Sequence, residues 1–122
     1  PTPSTCDDLG VTIEIPAPVI HAGDTFYCRV HACNPEAFTY YDVPLCVVLD
    51  VYGQLFFAPG FGEFDHYTLT LNPGITPVTV LPDFTWPSGA GTASGIMFYA
   101  GMTDPNMTRL FGTYDAVSFG WE

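Results

Sequence analysis

The stretch FFAPGFGEFDHY, residues 56–67, sets rings and polar groups side by side. Phe61, Phe64 and Tyr67 offer flat aromatic faces, and Glu63, Asp65 and His66 lie among them. Rings beside hydrogen-bonding groups suit stacking on a sugar or anchoring on a protein partner. Pro59, Gly60 and Gly62 place the stretch in a loop, with Phe56 and Phe57 finishing the strand before it. Trp86 opens a second such stretch, WPSGAGTASG, whose small side chains let another backbone approach closely. It reads as a strand connection or as the wall of a docking groove. Phosphate cradling is excluded there, because the lysine and spacing of a phosphate-binding loop are missing.

Catalysis finds little support. A nucleophile needs a base and an orienting acid. His21, His31 and His66 fall on a turn, a strand and a loop, without GxSxG or HExxH around them. Glu63 and Asp65 share a loop that does not fix the separation a glycosidase pair requires. The expectation is a non-enzyme. Asp7, Asp8, Asp42, Asp50, Asp104 and Asp115 are acids that could meet calcium, but no DxDxDG-type loop gathers them. No resident cofactor is expected, with calcium the cation these acids would take.

Charge narrows the partners. The net charge is −11, from 13 acids against Arg29 and Arg109, with no lysine. Nucleic acid demands a basic stripe, which this chain cannot build. Anionic membrane surfaces repel it for the same reason. No apolar run is long enough to span a bilayer. The start at Pro1 reads as a processed chain or a fragment.

Four cysteines, Cys6, Cys28, Cys33 and Cys46, match no zinc spacing and indicate disulfides in an oxidising compartment. They permit three pairings. A hairpin between residues 11–15 and 24–33 would bring Cys6 near Cys33, leaving Cys28 and Cys46 to bridge the core. The opening PTPST, residues 1–5, has linker composition: an extended arm and a candidate for O-glycosylation at Thr2, Ser4 and Thr5. Asn106-Met107-Thr108 matches the N-glycosylation pattern at Asn106.

The elements that position these groups read as all-β. Gly and Pro, 12 of each, interrupt the chain every few residues and helix-favouring runs are absent. Val11–Ile15 and Phe26–Cys33 alternate apolar and polar, as half-buried strands do. Leu45–Tyr52 is apolar enough for a central strand. Pro16–Asp24 reads as a turn, and Gly53-Gln54 as a tight turn into Leu55–Ala58. Further strands are expected at Tyr67–Leu71, Val78–Leu81, Ile96–Met102 and Tyr114–Trp121. Seven or eight short antiparallel strands predict a β-sandwich over residues 6–122.

The run IEIPAPVIHAGDTFYCRVHACNPEAFTYYDVPLCVVLD resembles the first half of bacterial immunoglobulin-like adhesion modules, at Gly23, Asp24, Asn34, Val43 and Pro44. The remainder resembles an uncharacterised C-terminal domain of secreted bacterial proteins that follows Thr-Pro linkers. The resemblance implies an immunoglobulin-like β-sandwich at the cell surface or outside it, and carries over no catalytic residue. The function expected is a structural, self-associating module of a surface fibre or adhesive appendage, forming a homo-oligomer or polymer. Missing lysines at strand edges favour strand addition between copies. The alternatives are a glycan-binding accessory module and a C-terminal spacer or sorting domain.

Overall fold

A computed structural model describes residues 5–62 and 64–122. The opening residues 1–4, with Thr2 and Ser4, and the acid Glu63 lie outside the described residues. The strands are β1 (Gly10–Glu14), β2 (Val19–Ile20), β3 (Thr25–Asn34), β4 (Tyr40–Val51), β5 (Gln54–Phe57), β6 (Tyr67–Leu71), β7 (Gly74–Thr85), β8 (Ala93–Met102) and β9 (Asp115–Trp121). They form a three-stranded sheet in the order β1-β3-β7 and a six-stranded sheet in the order β2-β9-β8-β4-β5. The sixth strand, β6, also pairs with β4.

Each strand expected from the sequence is present, and the differences have local causes. β2, inside the expected turn, pairs parallel with β9, so the fold is not wholly antiparallel. Pro16 and Pro18 keep this segment extended, and its two residues suffice for one short ladder. The β4–β5 turn falls one residue early, at Tyr52-Gly53, where both φ values are positive (52° and 89°), as a tight hairpin turn requires. β7 runs through 12 residues, far past Val78–Leu81, because Pro77 and Pro82 occupy an edge strand whose second side lacks a ladder.

The core lies between the sheets. Phe26, Cys28, Val30 and Ala32 alternate inward along β3 and meet Leu45 and Val47 of β4 and Ile96, Phe98 and Met102 of β8. Phe26 and Phe98 are almost wholly buried, and each such ring contributes roughly 2–3 kcal/mol of burial free energy.

β1 joins the sheets at its far edge. Val11 N–H donates to Thr113 O at 3.1 Å, Thr113 N–H to Leu9 O at 3.0 Å, and Ile13 N–H to Asp115 Oδ2 at 2.8 Å. Two glycines permit the approach. A Cβ at Gly10 would strike the Thr113 side chain, and one at Gly112 would stand 2.5 Å from Leu9 O.

Cys6 and Cys33 form a disulfide, with Cα atoms 5.4 Å apart. The hairpin does not place them opposite each other, since Gly10 is the ladder partner of Cys33. The intervening bend returns Cys6 to it. The second expected bridge does not form: Cys28 and Cys46 are free thiols. Strand parity is the reason. Cys28 points into the core with Val30, whereas Cys46 stands between inward Leu45 and Val47 and so faces out of the other sheet.

Candidate functional site

Two strands share one edge of β4. Leu45 pairs with both Met102 of β8 and Tyr67 of β6, and Val48 pairs with both Tyr99 of β8 and Phe57 of β5. β5 and β6 therefore follow one another along the same side, and residues 58–62 and 64–66 interrupt that edge rather than forming a hairpin turn. Ala58 N–H still donates to Val47 O at 2.9 Å, and Phe61 N–H to Phe57 O at 2.7 Å. The Ala58–Pro59 peptide bond is cis. Asp65 closes the loop, accepting from Gly60 N–H at 3.2 Å and His66 N–H at 2.8 Å. The His66 ring donates through Nδ1 to Tyr67 O at 3.0 Å.

This arrangement divides the aromatic residues. Phe61 and Tyr67 are half-buried and pack against the core of their own chain. Burial, then the charge of nearby groups, pushes the Tyr67 phenol up. Phe64 is 60% exposed and lies against Phe57, ring centres 5.1 Å apart, with His66 beyond it at 5.9 Å. Trp86 belongs to another cluster: its ring lies 5.5 Å from Phe26, 5.8 Å from Phe84 and 5.1 Å from Trp121. Its indole N–H is buried and has no hydrogen-bond partner among the described residues. Part of the glycine-rich stretch that follows is not loop at all, because Ala93–Gly95 opens β8. Asn106 and Thr5 are exposed.

Phe57 belongs to a larger surface. On the outward face of the six-stranded sheet, Phe57, Val48, Tyr99 and Ala116 form one row across β5, β4, β8 and β9. The next row holds Leu55, Asp50, Met97 and Ser118. Cys46 lies on the other side, where it lines a shallow depression of about 210 Å³ with Val48, Tyr99, Leu110 and Tyr114. Leu110 and Tyr114 are 58% and 63% exposed. A solvated face of an antiparallel sheet normally alternates to polar residues. Asp50 is the one ionisable carboxylate in these rows, and it is turned to the β4–β5 turn, where it accepts from Gly53 N–H at 2.8 Å. Burial pushes the Cys46 thiol up, so it faces this surface as a neutral thiol.

The outward face of the three-stranded sheet carries a polar network instead. Glu14 and His31 are buried there and lie 2.7 Å apart, Oε1 to Nε2. The Tyr27 hydroxyl donates to Glu14 Oε2 at 2.9 Å, and Arg29 reaches the same oxygen at 3.5 Å and Asp83 at 3.0 Å. The Arg29 guanidinium also covers the Tyr27 ring, 4.0 Å from its centre. The hydrogen bond to Glu14, above all, holds the Tyr27 phenol above its usual range. The sequence signal for this network was the hairpin register, which sets Glu14 beside Arg29 and diagonal to His31.

Of the acids considered for calcium, Asp50, Asp104 and Asp115 are engaged by nearby backbone and side-chain donors. Asp104 accepts from Thr108 N–H at 2.8 Å and Thr108 Oγ1–H at 2.9 Å, and these bonds hold its carboxyl below the usual range. Asp115 accepts from Ile13 and Ala116. Among the described residues no three His, Cys, Asp or Glu side chains converge as metal ligands.

The two facing sheets define an immunoglobulin-like β-sandwich module, and a solved structure agrees. The chain is similar to the CARDB domain of a Pyrococcus furiosus protein, crystallised in complex with di-metal ions, at 18% identity and a TM-score of 0.51. The match covers 97% of this chain and 96% of that one, and it concerns the fold alone. The sporulation control protein Spo0M from Bacillus subtilis matches at 12% identity and a TM-score of 0.43, over 93% of this chain and 49% of its own. No protein-family model matches the chain, and no curated protein matches it significantly.

Proposed function

We propose that this chain is a non-catalytic structural module of an extracellular or cell-surface protein, which self-associates as a subunit of a fibre or adhesive appendage. One observation carries the reading: on the outward face of the six-stranded sheet the row Phe57, Val48, Tyr99 and Ala116, with Leu55 and Met97 beside it, is apolar where water would favour polar residues. The disulfide Cys6–Cys33 supports an oxidising compartment. Among the described residues no helix is long and apolar enough to cross a membrane.

The contact is face to face rather than by strand addition. Pro77 and Pro82 lie on edge strand β7 and cannot donate to an added strand, and Pro82 falls where its ladder to β3 is irregular. β1 is tied to residues 113–115, β2 is two residues long, and the β5–β6 edge is broken by its loop. Proline and irregularity thus guard edges that have no lysine to guard them. A second reading, glycan stacking, is favoured by the exposed Phe64 ring set against Phe57.

Self-association must overcome a charge of −11 on each copy. Salt screens that repulsion, over about 8 Å at physiological strength, and leaves apolar contact intact. Sedimentation velocity is expected to show association that strengthens from low salt to physiological salt. In the variant Tyr99→Ser/Tyr114→Ser it should weaken about tenfold, while the chain stays folded and loses about 1 kcal/mol of stability. A wild-type chain that stays monomeric at millimolar concentration, with calcium present, would overturn the reading. Retention on a polysaccharide column that is lost in Phe64→Ala would favour the glycan alternative.

A further inference from the structure

A cleft lies where the start of β4 meets the β8–β9 connection. Its volume is about 220 Å³, and Tyr40, Tyr41, Asp42, Thr103, Asp104 and Phe111 line it. We propose that this cleft binds a free quaternary ammonium group of about the size of choline.

Three observations lead to this ligand class. The first is ring geometry. Tyr40 stands nearly perpendicular to Phe111, at 82° with centres 4.8 Å apart, and Phe38 meets Tyr40 at 67° and 5.0 Å. Tyr40 and Phe111 thus hold each other edge to face in the cleft wall, with Phe38 behind Tyr40, and aromatic surface attracts diffuse organic cations. Tyr41 adds a ring that is 72% exposed.

The second is the pair of acids. The Asp104 carboxylate is held by Thr108 and the Arg109 backbone, so it fixes the cleft wall and contributes a stationary negative charge. Asp42 differs. Its carboxylate makes no hydrogen bond or ion pair among the described residues. It sits where the β4–β6 register shifts between Tyr40 and Val43, at φ 54°. Bulges of this kind re-aim side chains and recur beside binding sites.

The third is what the cleft lacks. Arg29 is paired with Asp83 and Glu14 on the opposite sheet. Arg109, in the β8–β9 connection, acts on Asp104, and Asp42 takes part in no ion pair among the described residues. A hard metal ion wants six or more oxygens, and this cleft is walled by rings. A quaternary ammonium ion, weakly hydrated and large, matches ring faces beside two carboxylates.

The test uses the full chain, labelled with ¹⁵N and titrated with choline chloride. Saturable shifts in the millimolar range are expected at the amides of 40–43 and 103–111. Asp42→Asn should weaken binding by up to about fivefold, the scale of one exposed ion pair. Asparagine tolerates the left-handed backbone, so the variant keeps its fold. Glu36→Gln, an exposed acid in the β3–β4 connection, should change nothing. The neutral isostere 3,3-dimethylbutan-1-ol should bind at least about fivefold more weakly. Phosphocholine should also bind more weakly, since Asp42 and Asp104 repel its phosphate. The proposal falls if no saturable shift occurs, if Glu36→Gln weakens binding as much as Asp42→Asn, or if the alcohol or phosphocholine binds as well as choline. Choline binding does not depend on self-association, so a monomeric variant should keep it.

Discussion

On the outward face of the three-stranded sheet, Glu14, Tyr27, Arg29, His31 and Asp83 bind one another through hydrogen bonds and ion pairs. On the outward face of the six-stranded sheet, Phe57, Val48 and Tyr99 cross three strands without a polar side chain between them. Both faces are outer layers of one sandwich, and both follow the same two-residue alternation. The first satisfies its polar groups internally and gains local order. The second leaves apolar area that water solvates poorly and that another surface can cover. One molecule thus separates the face that stabilises it from the face available for contact.

The largest expected effect concerns the disulfide, whose Cys33 lies on the polar face beside His31. Replacing both Cys6 and Cys33 with serine should lower stability by about 3.5 kcal/mol, from the loop closed by a separation of 27 residues. Urea unfolding measures it. A loss below about 1 kcal/mol would mean that the β1 stitching to residues 113–115 already restrains this segment.

Glu14→Ala should cost about 3 kcal/mol, because His31 and the Tyr27 hydroxyl lose a buried acceptor. The comparison predicts that truncation on the apolar face, at Tyr99 and Tyr114, costs less, about 1 kcal/mol. Equal losses on both faces would erase the distinction.

The smallest effect separates the two free thiols. Burial pushes the Cys28 thiol up to about 12, whereas an unfolded thiol ionises near 8.5. The folded state thus keeps a proton that the unfolded state gives up. Stability from this group is fully present below about pH 8.5 and is lost as pH rises through the folded value. Between about pH 8.5 and 10, before tyrosines ionise, the urea midpoint should fall, and Cys28→Ala should flatten that slope. Iodoacetamide should label Cys46 in the folded chain and Cys28 only after unfolding. Labelling of Cys28 first would contradict the inward and outward assignment.

Much of the architecture was legible because strands announce themselves locally. Alternation along Val11–Ile15 and Phe26–Cys33, the apolar run at Leu45–Tyr52 and frequent Gly and Pro were enough to place them. The aromatic loop was legible as a loop, but not as a break in an edge strand, since edge membership depends on pairing with β4. That pairing decided that Phe61 and Tyr67 turn to their own core while Phe64 faces out.

The cysteines show the boundary most clearly. Composition pointed to an oxidised chain, and Cys6–Cys33 is present. The fate of Cys28 and Cys46 required knowing which sheet each strand joins and which way each pleat faces.

The sequence alone determined the all-β character, the acidity without lysine and the alternation that buries one side of each strand, because these are properties of neighbouring residues. Only the tertiary structure decided the network around Glu14, the apolar rows across β5, β4 and β8, and the cleft between Tyr40 and Asp104. Each of those joins residues far apart in the chain, and their meeting depends on strand order and register.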